Sequence, residues 1–291
     1  MFGLKRKPDV APAPTGPVLD LSGPTLRKAF EHLVTSAEPT GGVERYVTAL
    51  SLKSSLFEEM LGKGKVHELS ETEFLDLAAF ITPVRRRVGA WLAENGFELL
   101  RVRLEELLAG WTDTTSADER LARFTSKFPD DKAHRWVRDL GAEVLHFIDP
   151  ERYPLMTRWV WDAKVGSGVL REIWFADDVS TLKLDIPDDY ATFRVLNDEL
   201  SQFLGEQGVF RDLPFYVDLL MAHVYADYIN DRGGSLMRAE FATSSDPMLH
   251  TRRMLGLDAV DTETGRTRLK LIDGSAHVLG TPKGITHQES S

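Results

Sequence analysis

Apolar residues recur along most of this chain at spacings of three and four, the period of an amphipathic helix. From Pro24 onward, Leu26, Ala29, Phe30 and Leu33 share one helical face, and Pro39-Thr40-Gly41-Gly42 stops it. A second helix is predicted from Val43 to Leu61, ended by Gly62-Lys63-Gly64. Ser70 and Glu73 have the spacing of a capping box, in which the hydroxyl takes a free N–H at the helix start and the carboxylate returns the bond. Phe74, Leu77, Ala78 and Ile81 give that helix its apolar face. Thr82-Pro83 sets a capping hydroxyl before a first-turn proline and predicts a helix through Val84, Val88, Trp91 and Leu92, ending at Asn95-Gly96. Phe97 to Leu108 reads as another helix, and Ser116 with Glu119 repeats the capping-box spacing ahead of Leu121 and Phe124. The cleanest period runs from Asp130 to Phe147 through Ala133, Trp136, Val137, Leu140 and Val144.

Asp149-Pro150 and Tyr153-Pro154 then mark a turn, and Gly166-Ser167-Gly168 reads as a flexible junction. Val169–Phe175 fits a strand and a buried helical piece equally well. Asp188–Leu204 and Leu213–Ile229 are predicted helices, the second closed by Gly233-Gly234. A short helix opens at Asp246-Pro247 and runs through Met254 to Gly256. Near the C-terminus the period changes to two: Arg266 to Ile272 alternates as a strand, after the turn cluster Asp261–Gly265, and a hairpin with Ala259-Val260 is expected. The fold class is therefore mainly α, a multi-helix globular bundle of about ten helices with a small C-terminal β-hairpin. The expected organisation is a disordered Pro/Ala-rich tail over 1–20, a helical domain over 21–165, an acidic helical unit with the hairpin over 168–275, and a flexible tail over 280–291.

Composition narrows the function classes. The 291 residues contain no Cys, which excludes disulfides, thiolate metal ligation and a Cys nucleophile. No stretch approaches the roughly 18 apolar residues of a membrane span. Lys5-Arg6-Lys7 is followed by a Pro/Ala-rich stretch and not by an apolar segment, so no secretory signal is expected and a cytoplasmic location is. Net charge is −10, and its distribution is uneven. Residues 1–171 hold 24 basic and 25 acidic groups, residues 172–231 hold 3 and 13, and residues 232–291 hold 8 and 7. The middle stretch carries the excess, which argues against duplex nucleic acid on that surface, because phosphate is held by Lys and Arg. An acidic face suits a basic protein partner or a divalent cation.

Complete catalytic signatures are absent. Gly62-Lys63-Gly64-Lys65 has no Ser/Thr after the lysine and no preceding strand, so it is no P-loop, and neither Gly-x-Ser-x-Gly nor His-Glu-x-x-His occurs. Two pairs carry metal-ligating chemistry: Glu143 and His146 at i, i+3, and His223 and Asp227 at i, i+4, each on one side of its helix. No cofactor is expected otherwise, a divalent metal being the alternative. Four of the six tryptophans fall between 136 and 174. Arg152, Tyr153, Arg158, Trp159, Trp161, Arg171 and Trp174 are the candidates for a partner or ligand groove, since cationic side chains stack on aromatic faces. His250-Thr251-Arg252-Arg253 with Arg266, Arg268 and Lys270 is the basic region of the second half, expected to meet the acidic 172–231 face of the same chain or of a second copy.

These observations lead to an accessory or interaction protein that docks a protein partner through the acidic face and the aromatic groove. A metal-dependent enzyme built on Glu143, His146, His223 and Asp227 is the alternative, and nucleic-acid binding through Arg152, Arg158, Arg171 and the tryptophans is the third reading.

Overall fold

The computed structural model describes residues 17–176, 183–232, 246–261 and 264–280, with the side chains of 231 and 232 left aside. Twelve α-helices lie among the described residues: α1 (Gly23–Ala37), α2 (Val43–Leu61), α3 (Glu71–Ala79), α4 (Thr82–Arg85), α5 (Val88–Asn95), α6 (Phe97–Leu108), α7 (Ala117–Ser126), α8 (Trp136–Ile148), α9 (Val169–Glu172), α10 (Tyr190–Glu206), α11 (Leu213–Arg232) and α12 (Leu249–Met254). An antiparallel pair, β1 (Arg266–Lys270) and β2 (Ala276–Val278), completes the mainly-α architecture. No helix among the described residues is long and apolar enough to cross a membrane.

Local signals set several boundaries as the sequence predicts. Ser70 accepts from the Glu73 backbone N–H while the Glu73 carboxylate accepts from the Ser70 N–H, which closes the capping box of α3. Asp189 caps α10 by accepting from the Thr192 N–H, so this helix runs from Tyr190 to Glu206 where Asp188–Leu204 is predicted.

Other boundaries shift, each for a visible reason. Ser116 does not cap α7, because its hydroxyl donates to the Asp113 carbonyl and accepts from Arg120. Thr82 does not cap a long helix: its hydroxyl bonds the Arg253 carbonyl, Ile81 stands at the N-cap, and the chain breaks at Arg86–Arg87 into α4 and α5. The helix predicted from Asp130 starts at Trp136, because Asp131 Oδ1 gathers the backbone N–H groups of Ala133 and His134 into a turn. Val169–Phe175 resolves into the short α9, followed by a bridge between Trp174 and Leu21. The principal partner of β1 is β2, and Val260 contributes only a single bridge to Thr267.

Leu19 and Asp20, expected in the disordered N-terminal tail, are held beside this same bridge: Phe175 N–H donates to the Asp20 carbonyl, and Leu19 is buried. Residues 1–16, Gly233-Gly234, Thr262-Glu263 and 281–291 lie outside the described residues. Gly280 is anchored, its N–H donating to the Asp76 carboxylate.

Helix α8 is the centre of the packing. Twelve of its thirteen residues are buried, and α2, α4, α6 and α7 all contact it. A single hydrophobic cluster runs from Leu19 to Leu269 and includes side chains from both sides of Gly166–Gly168. That junction is a hydrogen-bonded turn, with Asp162 and Ser167 bridged and a Cβ at Gly168 falling 2.6 Å from the Val160 carbonyl oxygen.

A wholly enclosed helix should be apolar all round, yet α8 carries Asp139, Glu143 and His146 at i, i+4 and i+7. Buried charge is costly unless paired. Each of the three is met from a different element. Arg158 donates to Asp139 (2.8 Å), Lys53 on α2 donates to Glu143 (2.8 Å), and His146 Nε2 lies 2.8 Å from Asp218 on α11. Lys53 also donates to the carbonyls of Phe80 (2.9 Å) and Leu255 (3.0 Å), so its three N–H donors are all satisfied.

Candidate metal centre

Helix α11 packs against both α1 and α12, and its His223 and Asp227 stand one turn apart on one face. Amphipathic α1 buries Leu26 and Leu33 and leaves His32 beside that face. His32 Nδ1 lies 2.7 Å from Asp227 Oδ2 and 3.1 Å from His223 Nε2, and His223 Nε2 is 3.8 Å from Asp227 Oδ2. Three metal-ligating side chains thus converge, their donor atoms all within 4.8 Å of one another.

The burial is graded. The His223 side chain is 1% exposed, Asp227 37% and His32 53%, so the cluster has a fixed interior ligand and a solvent-facing rim. Thr251 on α12 orients the interior ligand, its hydroxyl lying 3.0 Å from His223 Nδ1. With Nδ1–H donating to that hydroxyl, the Nε2 lone pair points at His32 and Asp227. Burial pushes the His223 pKa down to about 4, against the pull of Asp227 and with the help of His32. The imidazole is neutral around pH 7, the state that ligates metal.

The separations suit an ion. At metal–ligand bonds of about 2.0 Å, adjacent corners of a tetrahedron are about 3.3 Å apart, and the three observed distances bracket that value. The donor set of two imidazoles and one carboxylate is one that zinc and non-haem iron accept.

The four metal candidates of the sequence do not form one site. His223 and Asp227 come together, and His32, separated from His223 by 191 positions, completes the cluster. Glu143 and His146 lie on one side of α8 as their spacing predicts, but each pairs separately, Glu143 with the Lys53 ammonium and His146 Nε2 with Asp218. His146 Nδ1 lies 2.7 Å from the Tyr153 carbonyl, which orients the ring toward Asp218. Burial holds Glu143 above the usual carboxylate range and Lys53 below the usual amine range, each against the attraction of the other.

The aromatic segment is largely interior. Tyr153 and Trp161 are fully buried and Trp159 nearly so. Tyr153 accepts from Arg120 and donates to the Trp111 carbonyl, and Trp161 Nε1–H donates to the Ile186 carbonyl at 3.1 Å. These three rings therefore line no open groove. Arg152, Arg158, Arg171 and Trp174 are half-buried: Arg152 pairs with Asp149, Arg158 with Asp139, Arg171 donates to the Gly166 carbonyl, and Trp174 bridges Leu21.

The acidic stretch is partly matched within the chain, through Asp188 with Arg138, Asp198 with Arg194 and Asp218 with His146. Helix α12 of the basic region packs on α11 of that stretch, with Thr251 touching His223, but the ion pairs of its arginines go elsewhere. Arg252 pairs with Asp246, and Arg253 and Arg268 approach Asp258, because α12 and the hairpin bring these carboxylates closer.

No protein-family model matches this chain, nor does any curated protein or solved structure.

Proposed function

We propose that this chain is a divalent-metal protein of catalytic type, the ion being held by His32 Nδ1, His223 Nε2 and Asp227 Oδ2. The observation that carries the reading is the convergence of these three donor atoms from two helices onto one point. Catalytic metal sites keep three protein ligands and an open position, whereas structural sites are closed by four. Three ligands with a solvent-facing rim follow the first pattern. A divalent ion bound there supplies Lewis acidity toward a carbonyl or phosphoryl oxygen.

The division of labour among the residues follows from their surroundings. His223 sets the position, being fixed by Thr251 and by the interior. Asp227 supplies the anionic ligand that offsets part of the ion's charge. His32 supplies the last ligand from a separate helix, so the site assembles only when α1 is docked on α11.

The test is a titration of the purified chain with Zn(II) and with Co(II), whose visible absorption reports coordination number. One ion per chain with a four-coordinate Co(II) spectrum is expected. His32 and Asp227 lie at the exposed rim, so His32→Ala and Asp227→Ala should fold normally and each weaken binding sharply. His223→Ala should abolish it. Wild-type protein that takes up neither ion, or rim variants that bind as the wild type does, would overturn the reading.

A further inference from the structure

Two arginines of the basic region, Arg252 and Arg268, meet Arg45 at a place separate from the three proposed metal ligands. A cleft of about 620 Å3 opens between the start of α2, helix α12 and the hairpin, and Arg45, Arg252 and Arg268 line it. Its size falls in the range of small-molecule sites, about 300–1,000 Å3. Leu249, Leu257 and Val260 supply apolar wall.

The local charge is not balanced. Asp258, at the cleft wall, is gripped by Arg85 through two hydrogen bonds of 2.8 and 3.1 Å. Arg253 and Arg268 reach the same carboxylate only at 3.7 and 3.6 Å, beyond hydrogen bonding. Arg45 Nη1 donates to the Thr40 carbonyl, and no carboxylate pairs with it among the described residues. Arg252 pairs with Asp246 through Nη2, but its Nε is buried with no hydrogen-bond partner among the described residues. Among the described residues, five guanidiniums, those of Arg45, Arg252 and Arg268 in the cleft and Arg85 and Arg253 beside it, thus stand with three carboxylates, Asp258 and Asp261 in the cleft and Asp246 beside it. Among the described residues this is a surplus of two positive charges in a chain of net charge −10, a local arrangement and not a reflection of composition.

We infer that this cleft binds a small molecule bearing a phosphate monoester, with Arg45, Arg252 and Arg268 holding the phosphate and the apolar wall holding its organic body. A phosphate monoester carries about −1.5 to −2 at pH 7, which matches the surplus. Planar guanidinium forks are the donors best suited to its oxygens, and arginine rather than lysine fills all three positions. A monocarboxylate matches the charge less well.

The experiment is calorimetric titration of the full chain with AMP, inorganic phosphate and acetate as separate probes, in the presence of a chelator. AMP should bind one to one, phosphate more weakly, and acetate not measurably. Arg45→Ala and Arg268→Ala, both exposed, should each lower AMP affinity by about tenfold or more, because each removes a charge-assisted contact. Arg268→Lys keeps the charge but not the fork and should recover only part of the loss. His32→Ala should bind AMP as the wild type does, which separates this inference from the metal reading. Absence of AMP and phosphate binding, equal binding of acetate, or unchanged affinity in both alanine variants with unchanged melting temperatures would overturn it.

Discussion

Lys53 and Glu143 face each other at 2.8 Å in the middle of the protein, with 1% and 4% of their side chains exposed. The Phe147 ring lies under the ammonium, 3.9 Å from its centroid. Removing one member leaves a buried charge unmatched, whereas replacing both with apolar groups of similar size is often neutral or favourable. Lys53→Met should therefore destabilise by about 3–5 kcal/mol, and Lys53→Met with Glu143→Leu should recover most of that. Urea unfolding of the single and double variants measures both. A double variant no better than the single would show that the lysine works through its two backbone carbonyls instead.

Thr251 touches His223, and neither its own position nor its hydroxyl is a proposed metal ligand. Thr251→Val keeps the shape and removes the acceptor. Loss of such an outer partner lowers metal affinity by about 10–100-fold. Competition of the loaded protein against a chelating dye should show that change, with the far-UV circular dichroism unaltered.

Gly256 has φ +72°, and a Cβ there would fall 1.7 Å from the Phe80 carbonyl oxygen, the same oxygen that accepts from Lys53. Gly256→Ala therefore combines a left-handed backbone cost of about 1–3 kcal/mol with overpacking against main chain. A drop in melting temperature at least as large as that of Lys53→Met is expected. A tolerated alanine would mean that the turn after α12 does not approach Phe80 this closely.

Acid should act through Asp258. Burial alone would raise its pKa, but the hydrogen bonds and charge of Arg85, with Arg268 and Arg253, hold it below the usual carboxylate range. As pH falls through the unfolded-state value of about 3.9, the unfolded chain takes up the proton before the folded one does. The stabilisation is present above that pH and disappears as pH falls on toward the lower folded value. Asp258→Asn should be less stable at pH 7 and show a shallower loss between about pH 5 and 2.5. Parallel slopes for the two proteins would refute this.

Trp136 opens α8 and packs against Trp91 and Phe128, with ring centroids at 6.3 and 5.9 Å. At 3% exposure, Trp136→Ala should cost about 3–5 kcal/mol. Thermal unfolding that shifts by less than Leu99→Ala, on the exposed side of α6, would contradict the packing.

Much of the fold was legible in the sequence because its signals are local. Val43–Leu61 and Phe97–Leu108 stop where glycine or a change of period stops them, and Ser70 caps because no other group claims its hydroxyl more strongly. Ser116 has the same spacing and fails, because Arg120 and Asp113 claim its hydroxyl. Of the site, the i, i+4 spacing of His223 and Asp227 was visible. His32 was not, since nothing near residue 32 tells that α1 will lie on α11. Lys53 was equally silent: one lysine in an amphipathic helix reads as solvated, and only the arrival of Glu143, Phe80 and Leu255 makes it interior. The same blindness made Glu143 and His146 look like a ligand pair, when each is answered by its own partner.

The three charged positions of α8 act as a combination lock. Arg158, Lys53 and Asp218 approach from unconnected parts of the chain, and each fits only one side chain. Turning the helix by one residue, about 100°, would mismatch all three at once and would also bring a side chain to where Gly141 now meets Leu121 and Phe124. Packing at that glycine restricts the settings of this helix. The charges permit one, and they thereby fix where α2 and α11 must stand, including the turn of α11 that presents His223 to His32.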